Sequence, residues 1–195
     1  MVVLVFALSV LSFKHHDHPA TERATALLEA TPTNEQIRWL SWEDAMQLHQ
    51  QDPRKVLVNI YKTQCSWCSY MDRTTYRETH LIDYINKNFY AVKLNAEQRE
   101  PIEFRDRTYK YVRSDGSGYH ELAATMTSGG LGTPGIVFLD ESLEVIQPIT
   151  GYKDPDSFEK IITYFGENQY LNTPWDIYRS SYIPMNSTQL LKGRE

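Results

Sequence analysis

Cysteine is nearly absent from this chain: there are two in 195 residues, Cys65 and Cys68, and no second pair. That scarcity excludes a disulfide scaffold and a four-cysteine zinc site. A basic field is also missing, because 20 Lys and Arg stand against 25 Asp and Glu, for a net charge of -5, and the cations are scattered among the acids. Nucleic-acid binding is thereby disfavoured. Long apolar runs are lacking apart from residues 1–13, and that run is shorter than the ~20 residues a membrane helix needs. It is followed at once by the polar stretch 14–18 and reads as the apolar core of a signal peptide, with Val10 and Ser12 as the small residues before a cut at Phe13. No cysteine stands nearby to carry a lipid, and Gly193-Arg194-Glu195 is no endoplasmic-reticulum retention signal. The expected address is the bacterial cell envelope, periplasmic or secreted, with no stable membrane insertion after processing.

With 41% hydrophobic residues and thirteen tyrosines, the chain can bury one core of ordinary size, so one domain with appendages is expected. Residues 14–40 read as a polar linker, with 21–30 a loose helix broken by Thr31-Pro32. The domain is placed at 41–165, and 166–195 is a C-terminal extension whose Trp175, Tyr178 and Tyr182 pack over the core as irregular chain. Ser41 is a plausible N-cap, with Asp44 three residues on, for a helix ending before Pro53. A strand over 56–61, a helix over 66–79 continuing through 80–89 with Leu81, Ile82 and Ile85 at helical spacing, and a strand over 90–95 follow. The unbroken apolar run 136–139 suits a strand buried on both faces. Asp140-Glu141-Ser142 turns the chain into a strand over 143–149, and Asp154-Pro155 opens a helix through Phe165. Between these elements, 97–118 reads as an inserted hairpin turning at 114–118, either a specificity surface or, in preference, an extension of an edge of the sheet.

Cys65-Ser66-Trp67-Cys68 follows the first apolar strand directly. If Cys65 opens a helix, Cys68 lies on the same face and can close a disulfide. A helix N-terminus favours thiolate over thiol, and in Cys-X-X-Cys motifs the pKa falls to roughly 3.5–7.5 from about 8.5. The first sulfur then attacks and the second resolves, so a redox dithiol is the leading reading. A copper or zinc carrier using the same pair as soft ligands, and a structural disulfide, are the alternatives. His15, His16 and His18 beside Asp17 form a group able to hold a transition metal weakly, whereas a plain polar segment is the simpler reading. His49, His80 and His120 have no partner at helical spacing and receive no role, and the redox chemistry requires neither metal nor bound cofactor.

The order strand, helix, strand, helix, strand hairpin, closing helix is that of the thioredoxin core. The stretch from Val56 to Cys68 resembles the thioredoxin strand that delivers a Cys-X-X-Cys pair to a helix. Thr133-Pro134 before 136–139 resembles the cis-proline loop, and Val92-Lys93-Leu94-Asn95 resembles the middle strand with its lysine. Over 41–165 the chain is similar to exported bacterial thioredoxin-like proteins. The resemblance implies an α/β, thioredoxin-like fold with a central mixed β-sheet flanked by helices. It also implies a protein-disulfide oxidoreductase that exchanges disulfides with protein substrates and is recycled by an unidentified redox partner. Cys65 is then the exposed nucleophile, Cys68 the buried resolving cysteine, Pro134 the cis-proline, and Thr133 the residue whose backbone meets the substrate strand. Two departures stand out. Asn59 occupies the position of the family's buried acid, so deprotonation of the resolving thiol falls to water, Lys93 or a substrate group. Ser66-Trp67 lacks the histidine of strongly oxidising envelope enzymes, which points to a reductase-like poise. Trp67 reads as a platform for substrate chains or, in preference, as a lid over the second sulfur.

Overall fold

The computed structural model describes residues 35–114 and 116–185. The signal-like run 1–13, the histidine group at His15, His16 and His18, and the loose helix at 21–30 lie outside the described residues. The chain divides into Met1–Thr31 and Pro32–Glu195, and everything below concerns the second unit.

A five-stranded sheet organises that unit, in the order β1 (Trp39–Leu40), β3 (Tyr90–Asn95), β2 (Val56–Tyr61), β8 (Gly135–Leu139), β9 (Val145–Thr150). β3 runs parallel to both β1 and β2, whereas β8 is antiparallel to β2 and β9. This is the mixed sheet of a thioredoxin-like α/β fold. The apolar run of β2 is central because residues 56–60 are buried on both faces. Helices α1 (Trp42–Gln51), α2 (Ser66–Arg73), α3 (Thr79–Asn88), α4 (Glu121–Met126), α5 (Pro155–Gly166) and α6 (Trp175–Ser181) surround it. Ser41 caps α1 by accepting the Asp44 N–H at 3.1 Å, and Asp154 caps α5 with Pro155 in its first turn. On one sheet face Leu57, Ala91, Ile136 and Phe138 pack against Met71 of α2, Leu81 and Ile85 of α3, and Phe158 of α5. Phe138 stacks on Phe165 with ring centroids 4.5 Å apart.

Four expectations are corrected. The linker placed at 14–40 contributes an edge strand at its end, with Trp39 opposite Ala91, and Ile37 is buried; two residues are too few to show a strand period. The helix placed at 66–79 stops at Arg73 and resumes at Thr79 after a 3-10 turn, Thr75–Arg77. Side-chain bonds compete there, since the Thr74 hydroxyl donates to Tyr70 O at 2.9 Å and that of Thr75 to Lys153 O at 2.6 Å. The insertion is two hairpins, β4 (Ile102–Phe104) with β5 (Arg107–Tyr109) and β6 (Tyr111–Ser114) with β7 (Ser117–His120), each a separate two-stranded sheet that adds nothing to the main sheet's edge. The first turn escapes notice because Arg105 and Asp106 take φ of 51° and 57° without a glycine. Among its described residues, the C-terminal extension carries a 3-10 turn, Gln169–Leu171, and helix α6 rather than only irregular chain. Its Tyr178 is buried and donates to the Thr163 hydroxyl at 2.8 Å.

Candidate active site

β2 ends at Tyr61, and the chain reaches α2 four residues later with Cys65 as the N-cap. The Cys65 sulfur accepts the Cys68 N–H at 3.1 Å, and the two sulfurs are joined in a disulfide with 5.2 Å between the Cα atoms. Cys65 is half-buried, whereas Cys68 is 6% exposed. A group arriving from solvent therefore meets Cys65 first. Because β8 runs antiparallel to β2 with Gly135 opposite Ile60, Thr133 and Pro134 sit at the sheet end where β2 hands over to the cysteines. The Thr133–Pro134 peptide bond is cis, and Pro134 O accepts the Gly151 N–H at 2.8 Å. Lys153 holds the same loop by donating to Thr150 O at 2.7 Å and Gly151 O at 3.0 Å, and burial pushes its ammonium pKa down.

Trp67 is 60% exposed and stands out from the surface rather than closing over the buried sulfur, so the lid is corrected to a surface ring. It packs against Tyr70 at 5.9 Å and Tyr152 at 5.5 Å, and these two tyrosines are 5.2 Å apart. Tyr70 was legible as a neighbour three residues along the helix, but Tyr152 comes from the loop that follows β9. Asn59 is 2% exposed, and its Oδ1 has no hydrogen-bond partner among the described residues. Its register partner Lys93 lies on β3, a strand flanked by β1 and β2. The Lys93 ammonium donates to both carboxylate oxygens of Asp72 at 2.8 Å, with the Trp39 and Tyr61 rings 5.6 and 5.5 Å away. Asp72 is the residue sequence reasoning missed; its signal was the four-residue spacing from Cys68.

Residues 20–154 match the model of the Thioredox_DsbH family, described as a protein of unknown function, DUF255. The chain belongs to this family. Among solved structures, this Thioredox_DsbH chain is similar to a thioredoxin-fold protein from Helicobacter pylori, with a TM-score of 0.53 and 20% identity over 66% of this chain and 84% of that one. It is also similar to a DsbH oxidoreductase, with a TM-score of 0.50 and 15% identity over 72% and 92% of the two chains. At these identities the likeness speaks for the fold. An uncharacterized protein of Caenorhabditis elegans is 26% identical over 147 residues, which is 73% of this chain and 18% of that protein. Spermatogenesis-associated protein 20 of Rattus norvegicus is 20% identical over 84 residues, 43% of this chain and 11% of that protein. The Thioredox_DsbH chain thus spans less than a fifth of the length of these two curated relatives.

Two histidines of this Thioredox_DsbH member make structural contacts: His120 caps α4 through Nδ1, and His80 Nε2 lies 3.0 Å from a Glu159 carboxylate oxygen, whereas His49 is buried in α1 with Nε2 unpartnered among the described residues. Among the described residues no three His, Cys, Asp or Glu side chains group as a metal site, and no helix is long and apolar enough to cross a membrane.

Proposed function

We propose that the chain is a protein thiol-disulfide oxidoreductase in which Cys65 attacks and Cys68 resolves. The asymmetry of the pair carries this reading: Cys65 caps α2 half-buried, and Cys68 is 6% exposed. Unsatisfied N–H groups and the dipole at the helix start favour a thiolate on the outer sulfur. In the reducing direction the Cys65 thiolate attacks a substrate disulfide, expels one substrate sulfur as a thiol and stays bonded to the other. Cys68 then attacks the Cys65 sulfur, the mixed disulfide breaks, and the second substrate thiol leaves. Two electrons and two protons pass to the substrate, and the Cys65–Cys68 disulfide remains. Thr133, beside Pro134 at the same end of the sheet, presents backbone to an extended substrate segment, and Trp67 offers an apolar surface next to it. No bound cofactor takes part, and a separate redox partner returns the pair to the dithiol.

The dipeptide Ser66-Trp67, without a histidine, supports the reductase-like direction, and the apolar run at 1–13 supports export to a bacterial envelope. Cys68→Ser is expected to accumulate thiol-sensitive adducts with substrate proteins on non-reducing gels, whereas Cys65→Ser is expected to abolish exchange. Equal turnover by Cys65→Ser sinks the assignment. Equilibration of the pair against glutathione and dithiothreitol buffers reads the direction: a midpoint near about -270 mV fits a reductase, and one near about -120 mV a disulfide donor.

A further inference from the structure

Resolution of the mixed disulfide requires the buried Cys68 thiol to lose a proton, because the thiolate is the nucleophile. The strand below offers Asn59, whose amide cannot act as a base. Asn59 and Lys93 are register partners on neighbouring strands, so both project to the sheet face that also carries Leu57, Ala91 and the Met71 side of α2. Lys93 gives its hydrogen bonds to Asp72, at 2.8 Å to each oxygen. Asp72 follows Cys68 by four residues within α2, which makes the two side chains neighbours on one helix face, with Cβ atoms about 5–6 Å apart. The Asp72–Lys93 pair lines a cavity of about 250 Å³ together with Trp39, Tyr76 and Arg77. At ~30 Å³ of liquid volume each, several waters fit. Two buried polar atoms flank the pair without a partner among the described residues, Asn59 Oδ1 and the Tyr76 hydroxyl, and such atoms are ordinarily met by ordered water.

We propose, resting on the oxidoreductase reading above, that Asp72 is the positioning residue for the resolving proton: the carboxylate absent from the strand at Asn59 is supplied by the cysteine helix. The Cys68 thiol passes its proton, directly or through one water, to the Asp72 carboxylate, whose other side lines the cavity. The Cys68 thiolate attacks the Cys65 sulfur, the Cys65–Cys68 bond forms as the bond to substrate breaks, and the departing substrate thiolate takes the proton back. The step conserves the proton, and the two electrons lost by the cysteine pair reduce the substrate sulfur. Lys93 fixes the carboxylate from β3, and the cavity connects it to bulk water. The charged or titratable groups that face this relay are Lys93 from β3, Tyr61 from the end of β2 with its ring 5.5 Å from the Lys93 ammonium, Tyr76 and Arg77 from the 3-10 turn, and Cys65 from the start of α2.

The test uses the full chain. The reduced protein is mixed with oxidised glutathione, the Cys65–glutathione adduct is followed by acid quench and mass, and the release of glutathione by Cys68 is timed across neutral pH. Asp72→Asn is expected to slow release by about 10–100-fold and to move its pH profile upward, with Asp72→Glu restoring the rate to within a few-fold. The attack of Cys65 on oxidised glutathione, read in the Cys68→Ser background, is expected to change far less than release. An unaltered release rate and pH profile in Asp72→Asn overturn the proposal and leave the oxidoreductase reading standing, as does an equal loss in the attack step. A wild-type pair that oxidised glutathione never converts to the Cys65–Cys68 disulfide, with no adduct in the Cys68→Ser background, overturns the oxidoreductase reading, and this proposal with it.

Discussion

His120 is fully buried where β7 passes into α4, with Nδ1 accepting the Leu122 N–H at 3.3 Å and Nε2 lying 3.2 Å from Glu100 O. That arrangement suits the neutral imidazole with its proton on Nε2. Burial pushes the pKa down, against smaller upward pulls from the Glu100 carbonyl and from the charges of Glu121 and Glu100. The folded-state value therefore lies below the unfolded value of about 6.5, and the unfolded chain takes up the proton first. This contribution is complete above that value and is lost as the pH falls from it toward the folded-state value. Denaturant midpoints at neutral and mildly acidic pH are expected to show a larger acid loss in the wild type than in His120→Asn; parallel losses contradict this. The Cys65–Cys68 disulfide was legible because it rests on spacing along one helix turn. Asp72 was not, because what distinguishes it from any helix carboxylate is a lysine 21 residues away that the sheet brings to it.

The start of α5 shows an element written almost wholly in local chemistry. Asp154 accepts the Ser157 N–H at 3.0 Å and the Ser157 hydroxyl at 2.7 Å, and those bonds hold its carboxyl below the ordinary carboxylate value. Asp154→Ala is expected to cost about 1 kcal/mol at neutral pH. Because the folded-state pKa is depressed, the stabilisation is present above the unfolded value and disappears as the pH falls through the folded one. Thermal unfolding of the two proteins is therefore expected to differ at neutral pH and to converge in acid, and a gap that persists in acid argues against the cap's charge. The α1 cap and the β6–β7 turn were readable for the same reason, since Ser-X-X-Asp and a glycine in the left-handed region, Gly116 at φ of 82°, act over a few residues. The break between α2 and α3 was not, because Thr75 is drawn out of the helix by a carbonyl 78 residues along the chain.

At the scale of the molecule, the C-terminal extension is part of the folded unit. Glu159 of α5, 3% exposed, accepts from the Tyr182 hydroxyl at 2.8 Å and from the Met185 N–H at 2.6 Å, and it faces His80 of α3. Tyr164 donates to Thr173 O at 2.7 Å and packs edge-on against Trp175. Removing residues 167–195 is expected to lower stability by at least about 3 kcal/mol, the scale of losing one buried aromatic, and to expose the α5 face to hydrophobic dyes. An unchanged denaturant midpoint contradicts this. The residues by themselves determined the dithiol, the helix caps, the apolar central strands and hence the α/β order, because spacing, capping and periodicity act between near neighbours. Tertiary structure alone decided that Asp72 meets Lys93, that the Trp67 ring lies among Tyr70 and Tyr152 at the surface, and that the insertion forms two independent hairpins. These depend on strand register and helix seating, where groups distant in the chain come within reach of one another only after the core has packed.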